Sequence, residues 1–100
     1  MTPQELLSAN RRWTILKLMA GDFGHQVEIR MIQRGILTIN PAHAVGVDQI
    51  RKDLRWLEAK FLIELVIEDE LVFAKLLQRG ADVAAGVTRI DGVDKPPLED

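Results

Sequence analysis

The chain contains no cysteine in 100 residues. That removes disulfides, thiolate metal sites and cysteine nucleophiles together, and it fits a reducing compartment. There is no apolar run near the roughly 20 residues that span a bilayer, and the N-terminus lacks the basic, apolar and small-residue order of a secretory signal. A cytoplasmic protein without a membrane partner is expected. Positive charge is not in excess: the formal net charge is -2 and the pI about 5.7. The chain as a whole therefore has no long-range attraction for phosphate, unlike most DNA-binding domains. His25 and His43 stand without histidine, cysteine or carboxylate neighbours at a metal-ligand spacing, so no metal or other cofactor is expected. A Ser-His-Asp elbow, a phosphate loop, a dinucleotide fingerprint and an inward-facing carboxylate pair are missing too. The triplet Asp22-Phe23-Gly24 spells a kinase motif, but no glycine-rich loop precedes it and the chain is far too short for that fold. No catalytic residue is assigned, and a non-enzymatic protein is expected.

What remains is the composition of one globular domain with a single core: 47% hydrophobic and 28% charged residues. Thr2-Pro3-Gln4-Glu5 is a helix start, with Thr2 as cap, Pro3 at the first helical position and Glu5 completing a capping box. A helix from Pro3 to about Ala20 follows, with Leu6, Ala9, Trp13, Leu16 and Ala20 on one stripe. Ile15, Leu18 and Met19 form a second apolar set, which either the rest of the domain or another chain must cover. Gly21 to His25 reads as a turn, and Gln26-Val27 as a very short strand. A second helix begins at Glu28 and ends between Gln33 and Ile36, with Gly35 blurring its end. Asn40-Pro41 marks a loop over residues 38 to 45.

The strongest periodicity lies between Gly46 and Lys60, where Val47, Ile50, Leu54, Leu57 and Phe61 share one helical face. Asp48, Lys52, Arg55 and Ala59 occupy the opposite face. Residues 61–67 and 71–76 are rich in β-branched and aromatic types around Glu68-Asp69-Glu70, which predicts a hairpin with an acidic tip. A short helix follows from Gln78 to Ala85, with Val83 and Ala84 inward. Gly92, Pro96, Pro97 and the terminal acids predict an extended, flexible segment over residues 87–100. The expected fold is mainly α with a β-hairpin: a winged helix-turn-helix of three helices, a two-stranded wing and a short C-terminal helix, occupying residues 1–86.

Two surfaces are candidates for function. Gln49, Arg51, Lys52 and Arg55 suit a recognition helix, since arginine and lysine meet phosphate and guanine in a major groove. The same residues also suit a solvated helix face, because Arg51, Lys52, Arg55 and Lys60 are nearly balanced by Asp48, Asp53 and Glu58. The acidic turn opposes a wing-first DNA mode. The other candidate is a protein interface at Ile15, Leu18 and Met19 or at Val66 and Val72. Trp13 is expected in the core, and Trp56 at a core edge or an interface.

The run Val45 through Asp48-Gln49-Ile50-Arg51-Lys52-Asp53-Leu54-Arg55-Trp56-Leu57, with Gln78-Arg79-Gly80-Ala81-Asp82-Val83-Ala84-Ala85-Gly86 and Gly92-Val93-Asp94-Lys95-Pro96, resembles a family. It is similar to the small uncharacterised proteins of Mu-like phages and prophages, which resemble the ArsR-type winged helix and are encoded among head and DNA-packaging genes. The resemblance implies a phage or prophage origin and a winged-helix domain, with no activity to carry over. Metal-sensing ArsR-type proteins use cysteine and clustered ligands, which this chain lacks. Two functions follow as expectations. One is a homodimeric, regulatory protein binding double-stranded DNA; the alternative is an interaction module for phage head or packaging proteins.

Overall fold

A computed structural model describes residues 2–21, 23 and 26–97. Asp22, Gly24 and His25, on which part of the expected turn rests, lie outside the described residues, as do residues 1 and 98–100. Among the described residues the protein is mainly helical. Its elements in order are α1 (Pro3–Ala20), β1 (Gln26–Glu28), α2 (Ile29–Ile39), a 3-10 turn (Pro41–His43), α3 (Val47–Ala59), β2 (Ile63–Glu68), β3 (Leu71–Leu76) and α4 (Gln78–Ala84). The expected two-stranded ribbon is a three-stranded antiparallel sheet in the order β1-β3-β2. β1 joins because Val27 faces Ala74 and Glu28 faces Phe73, giving β3 a partner on both edges.

The first helix starts as its residues dictate. The Thr2 hydroxyl accepts from the Glu5 amide at 3.1 Å, and the Glu5 side chain reaches back to Thr2, so the capping box is complete. The buried face of α1 differs from the expected stripe. Leu6 and Ala20 are exposed, whereas Ile15, Leu18 and Met19 are buried with Trp13 and Leu16. The C-terminal half of α1 packs against α2, α3, α4 and β3, which cover both of its apolar sets while Lys17 and Ala20 stay exposed. Ile15, Leu18 and Met19 thus offer nothing to a second chain, which corrects their assignment as an interface.

Against them stand Ile32 and Ile36 of α2, Ile50, Leu54 and Leu57 of α3, and Leu62, Ile63 and Ala74 of the hairpin. Fully burying a Leu or Ile side chain contributes about 1.5–3 kcal/mol, so this contact holds α3 firmly and fixes which of its sides faces outward. α2 runs past its expected end to Ile39. Gly35 does not break it: a Cβ there would lie 2.6 Å from the Phe23 ring, so the residue is small because an aromatic side chain packs on the helix backbone. α4 buries Val83 and Ala84, and Ala84 supplies its carbonyl to the Trp13 indole N–H at 3.2 Å.

The extended segment expected after residue 86 folds back instead. Ile90 and Val93 pack on the core, the Asp94 amide donates to the Ala9 carbonyl at 3.1 Å, and the chain crosses α1 as far as the described Pro97. No helix among the described residues is long and apolar enough to cross a membrane.

Candidate nucleic-acid interface

The outward side of α3 is set by what its inward side buries. Asp53, counted above among the acids of a solvated helix face, is 2% exposed. It takes a two-pronged contact from Arg11 of α1, Nε to Oδ2 at 2.5 Å and Nη2 to Oδ1 at 3.1 Å, and Gln49 Nε2 donates to Oδ1 at 3.3 Å. Both charges are desolvated and both are paired; removing either partner would strand the other, a loss of about 3–5 kcal/mol. This buried pair ties α1 to α3.

Withdrawing Asp53 changes the electrostatics of the exposed face. Arg51, Lys52, Arg55 and Lys60 now stand against only Asp48 and Glu58. Asp48 pairs with Arg51 at 3.1 Å, an exposed contact between neighbouring turns and therefore worth little. Glu58 is also engaged, since its Oε2 accepts the Leu65 amide at 2.9 Å and so covers part of the free edge of β2. Lys52 and Arg55 are exposed and carry no ion pair among the described residues. Of the four residues expected to meet DNA, these two and Arg51 share one accessible surface. Gln49 is half-buried and turned towards Asp53, at the border of that surface.

A second group lies beside this face and was not foreseen. Arg12 of α1 sits over the Trp56 ring, its guanidinium carbon 4.1 Å from the centroid, and Lys60 approaches the same ring at 5.4 Å. Burial lowers the Arg12 pKa from its ordinary value; the Asp53 charge opposes that and the Arg11 charge adds to it. Arg12 also donates from Nη1 to the Gly92 carbonyl at 3.0 Å, which binds the C-terminal segment to the cation–aromatic stack. The sequence offered Trp56 as a border residue. It offered no signal for Gly92, because the two are joined only by the fold.

Three successive residues of α1 thus reach three parts of the molecule. Arg11 holds α3, Arg12 holds Trp56 and Gly92, and Asn10 joins the 3-10 turn to the C-terminal segment. Asn10 Nδ2 donates to Asp94 Oδ2 at 3.0 Å, and its Oδ1 lies 2.8 Å from His43 Nε2. With the amide nitrogen committed to Asp94, Oδ1 is the acceptor and the His43 ring carries its proton on Nε2. His43 is 2% exposed and its Nδ1 is buried without a hydrogen-bond partner. Among the described residues no group of three or more His, Cys, Asp or Glu is arranged to hold a metal ion.

The hairpin is the other candidate surface, and the structure does not unite its two expected residues. Val66 pairs with Phe73 and Val72 with Ile67, which puts Val66 and Val72 on opposite faces of the ribbon. Both are half-buried, and the more accessible apolar groups are Ile67 at 74% and Leu71 at 37%. Comparison of the chain with protein-family models, with curated proteins and with solved structures gives no match.

Proposed function

We propose that this protein is a non-enzymatic winged-helix module that binds double-stranded DNA, with α3 entering the major groove. In this reading it is a regulator of phage or prophage origin that acts as a homodimer by occupying its site. The element order α1-β1-α2-α3-β2-β3, the sheet order β1-β3-β2 and the 3-10 turn ahead of α3 support the winged-helix assignment. The observation that carries the function is the burial of Asp53 against Arg11. It leaves Lys52 and Arg55 unopposed on the accessible side of α3, with Arg51 beside them. Lysine and arginine there meet phosphate, and an arginine fork fits guanine.

The test is a titration of fluorescent duplex DNA at about 50 and about 200 mM salt, a range over which phosphate-dominated binding weakens steeply. Binding that fades with salt and is lost in the Arg51→Ala, Arg55→Ala double variant is the expected result. Binding unaffected by the double substitution would reject α3 as the reading element.

One observation favours a second reading, in which the module docks phage head or packaging proteins. Ile67 and Leu71 expose apolar surface near the acidic turn, where a groove-bound wing would need cations. Absence of DNA binding at low salt moves the assignment to this surface.

A further inference from the structure

We propose that the segment from Ile90 to Lys95 is an autoinhibitory strap: it sequesters Arg12 and places Asp91 in the recess that Gln49 of α3 also lines, so that its release raises affinity for nucleic acid. The inference rests on the DNA-binding reading and concerns the regulation of the same face.

The geometry has three parts. First, Arg12, Gln49, Asp91 and Gly92 line one recess together with the start of α1, where Glu5 is a second carboxylate that does not depend on the strap. The N-terminal residues of a recognition helix approach base edges. A carboxylate at that position repels an incoming phosphate backbone within the screening length of about 10 Å at 0.1 M salt. Secondly, the strap consumes a cation that would otherwise widen the basic surface. Arg12 gives Nη1 to the Gly92 carbonyl and its plane to Trp56, while Nε is buried without a hydrogen-bond partner. A guanidinium held with one of its donors unused is better satisfied by a phosphate. Thirdly, the hold is weak compared with the core. It consists of the Ala9, Asn10 and Arg12 hydrogen bonds, the packing of Gly92 on the Trp56 ring, and half-buried Ile90 and Val93, so a ligand that prefers the open state can shift the population. Asn10 adds a link, because the side chain that holds Asp94 also holds His43 in the turn leading to α3.

Gly92 is the point at which to open the strap. Its φ is +93°, and a Cβ would lie 2.5 Å from the Trp56 ring, so Gly92→Val in the full chain expels the segment for both reasons. Asp94→Ala, which removes the Asn10 contact without adding bulk, serves as the second variant if Gly92→Val does not fold. Strap release is read independently of DNA as loss of hydrogen-exchange protection at the Asp94 amide. The expected result is release together with a severalfold gain in duplex affinity and a salt dependence steeper by about one phosphate contact. Adding Arg12→Ala should cancel that gain. A released strap with affinity equal to that of the parent overturns the inference and leaves DNA binding standing. If neither the parent nor the released protein binds duplex DNA, the DNA-binding reading itself fails and the inference with it.

Discussion

His43 shows how a single residue links protonation to the fold. Its ring is enclosed between the 3-10 turn and α1, donates to Asn10, and has Arg11 and Asp53 as its charged neighbours. Burial is the main reason that its pKa lies below the ordinary 6.5; the Arg11 charge adds to the lowering and Asp53 opposes it. The unfolded chain therefore binds more protons than the folded one just below pH 6.5. The stabilisation is complete above that value and is lost as the pH falls from 6.5 towards the lowered folded-state value. Thermal midpoints should decline between about pH 7 and about pH 5 in the parent protein, and the decline should be smaller in His43→Gln, which cannot take up the charge. Equal slopes in the two proteins would show that the buried ring is not the group responsible.

At the scale of elements, the end of α3 is where sequence periodicity and structure part. Phe61 continues the apolar spacing of Ile50, Leu54 and Leu57, yet it is 73% exposed with a φ of +62°. The Leu62 amide donates to the Leu57 carbonyl and the Phe61 amide to that of Glu58, a Schellman stop in which the residue after the cap takes the left-handed conformation that usually falls to glycine. The reversal throws the ring outward. Because the side chain buries little and the backbone is strained, Phe61→Gly should stabilise the protein by about 1 kcal/mol in chemical denaturation. A loss of stability would instead reveal packing that the exposed ring still provides. Capping at Thr2, the face of α3 and the hairpin around residues 68–70 depend on neighbours in the chain and were legible. Asp53 lies beside the apolar face, three residues after Ile50 and four before Leu57, and nothing local pointed to its pairing with Arg11. The pairing of β1 with β3 and the folding back of residues 90–94 join segments tens of residues apart. Nothing in a local pattern announces either, and Gly92 looked like linker because its partner, Trp56, lies on another element.

Over the whole molecule, the net charge of -2 conceals a separation of signs. The accessible side of α3 carries Arg51, Lys52 and Arg55, while Glu68, Asp69 and Glu70 are exposed at the end of the hairpin. In the proposed reading, a duplex lying on α3 in the winged-helix manner would have the hairpin tip against its backbone, and those three carboxylates would oppose its approach. Their exposure makes the effect one of solvent-screened charge, with little bearing on stability. Exchanging all three for their neutral amides (E68Q, D69N, E70Q) should raise the association rate with duplex DNA at about 50 mM salt and lose that advantage as screening shortens towards about 3 Å at 1 M. Stopped-flow measurement across that range separates two arrangements of the same fold. A rate that responds to the tip places the hairpin at the DNA backbone, with its acids limiting non-specific binding. A rate indifferent to it sets the hairpin away from the duplex, leaving Ile67 and Leu71 free for a protein partner while α3 is occupied.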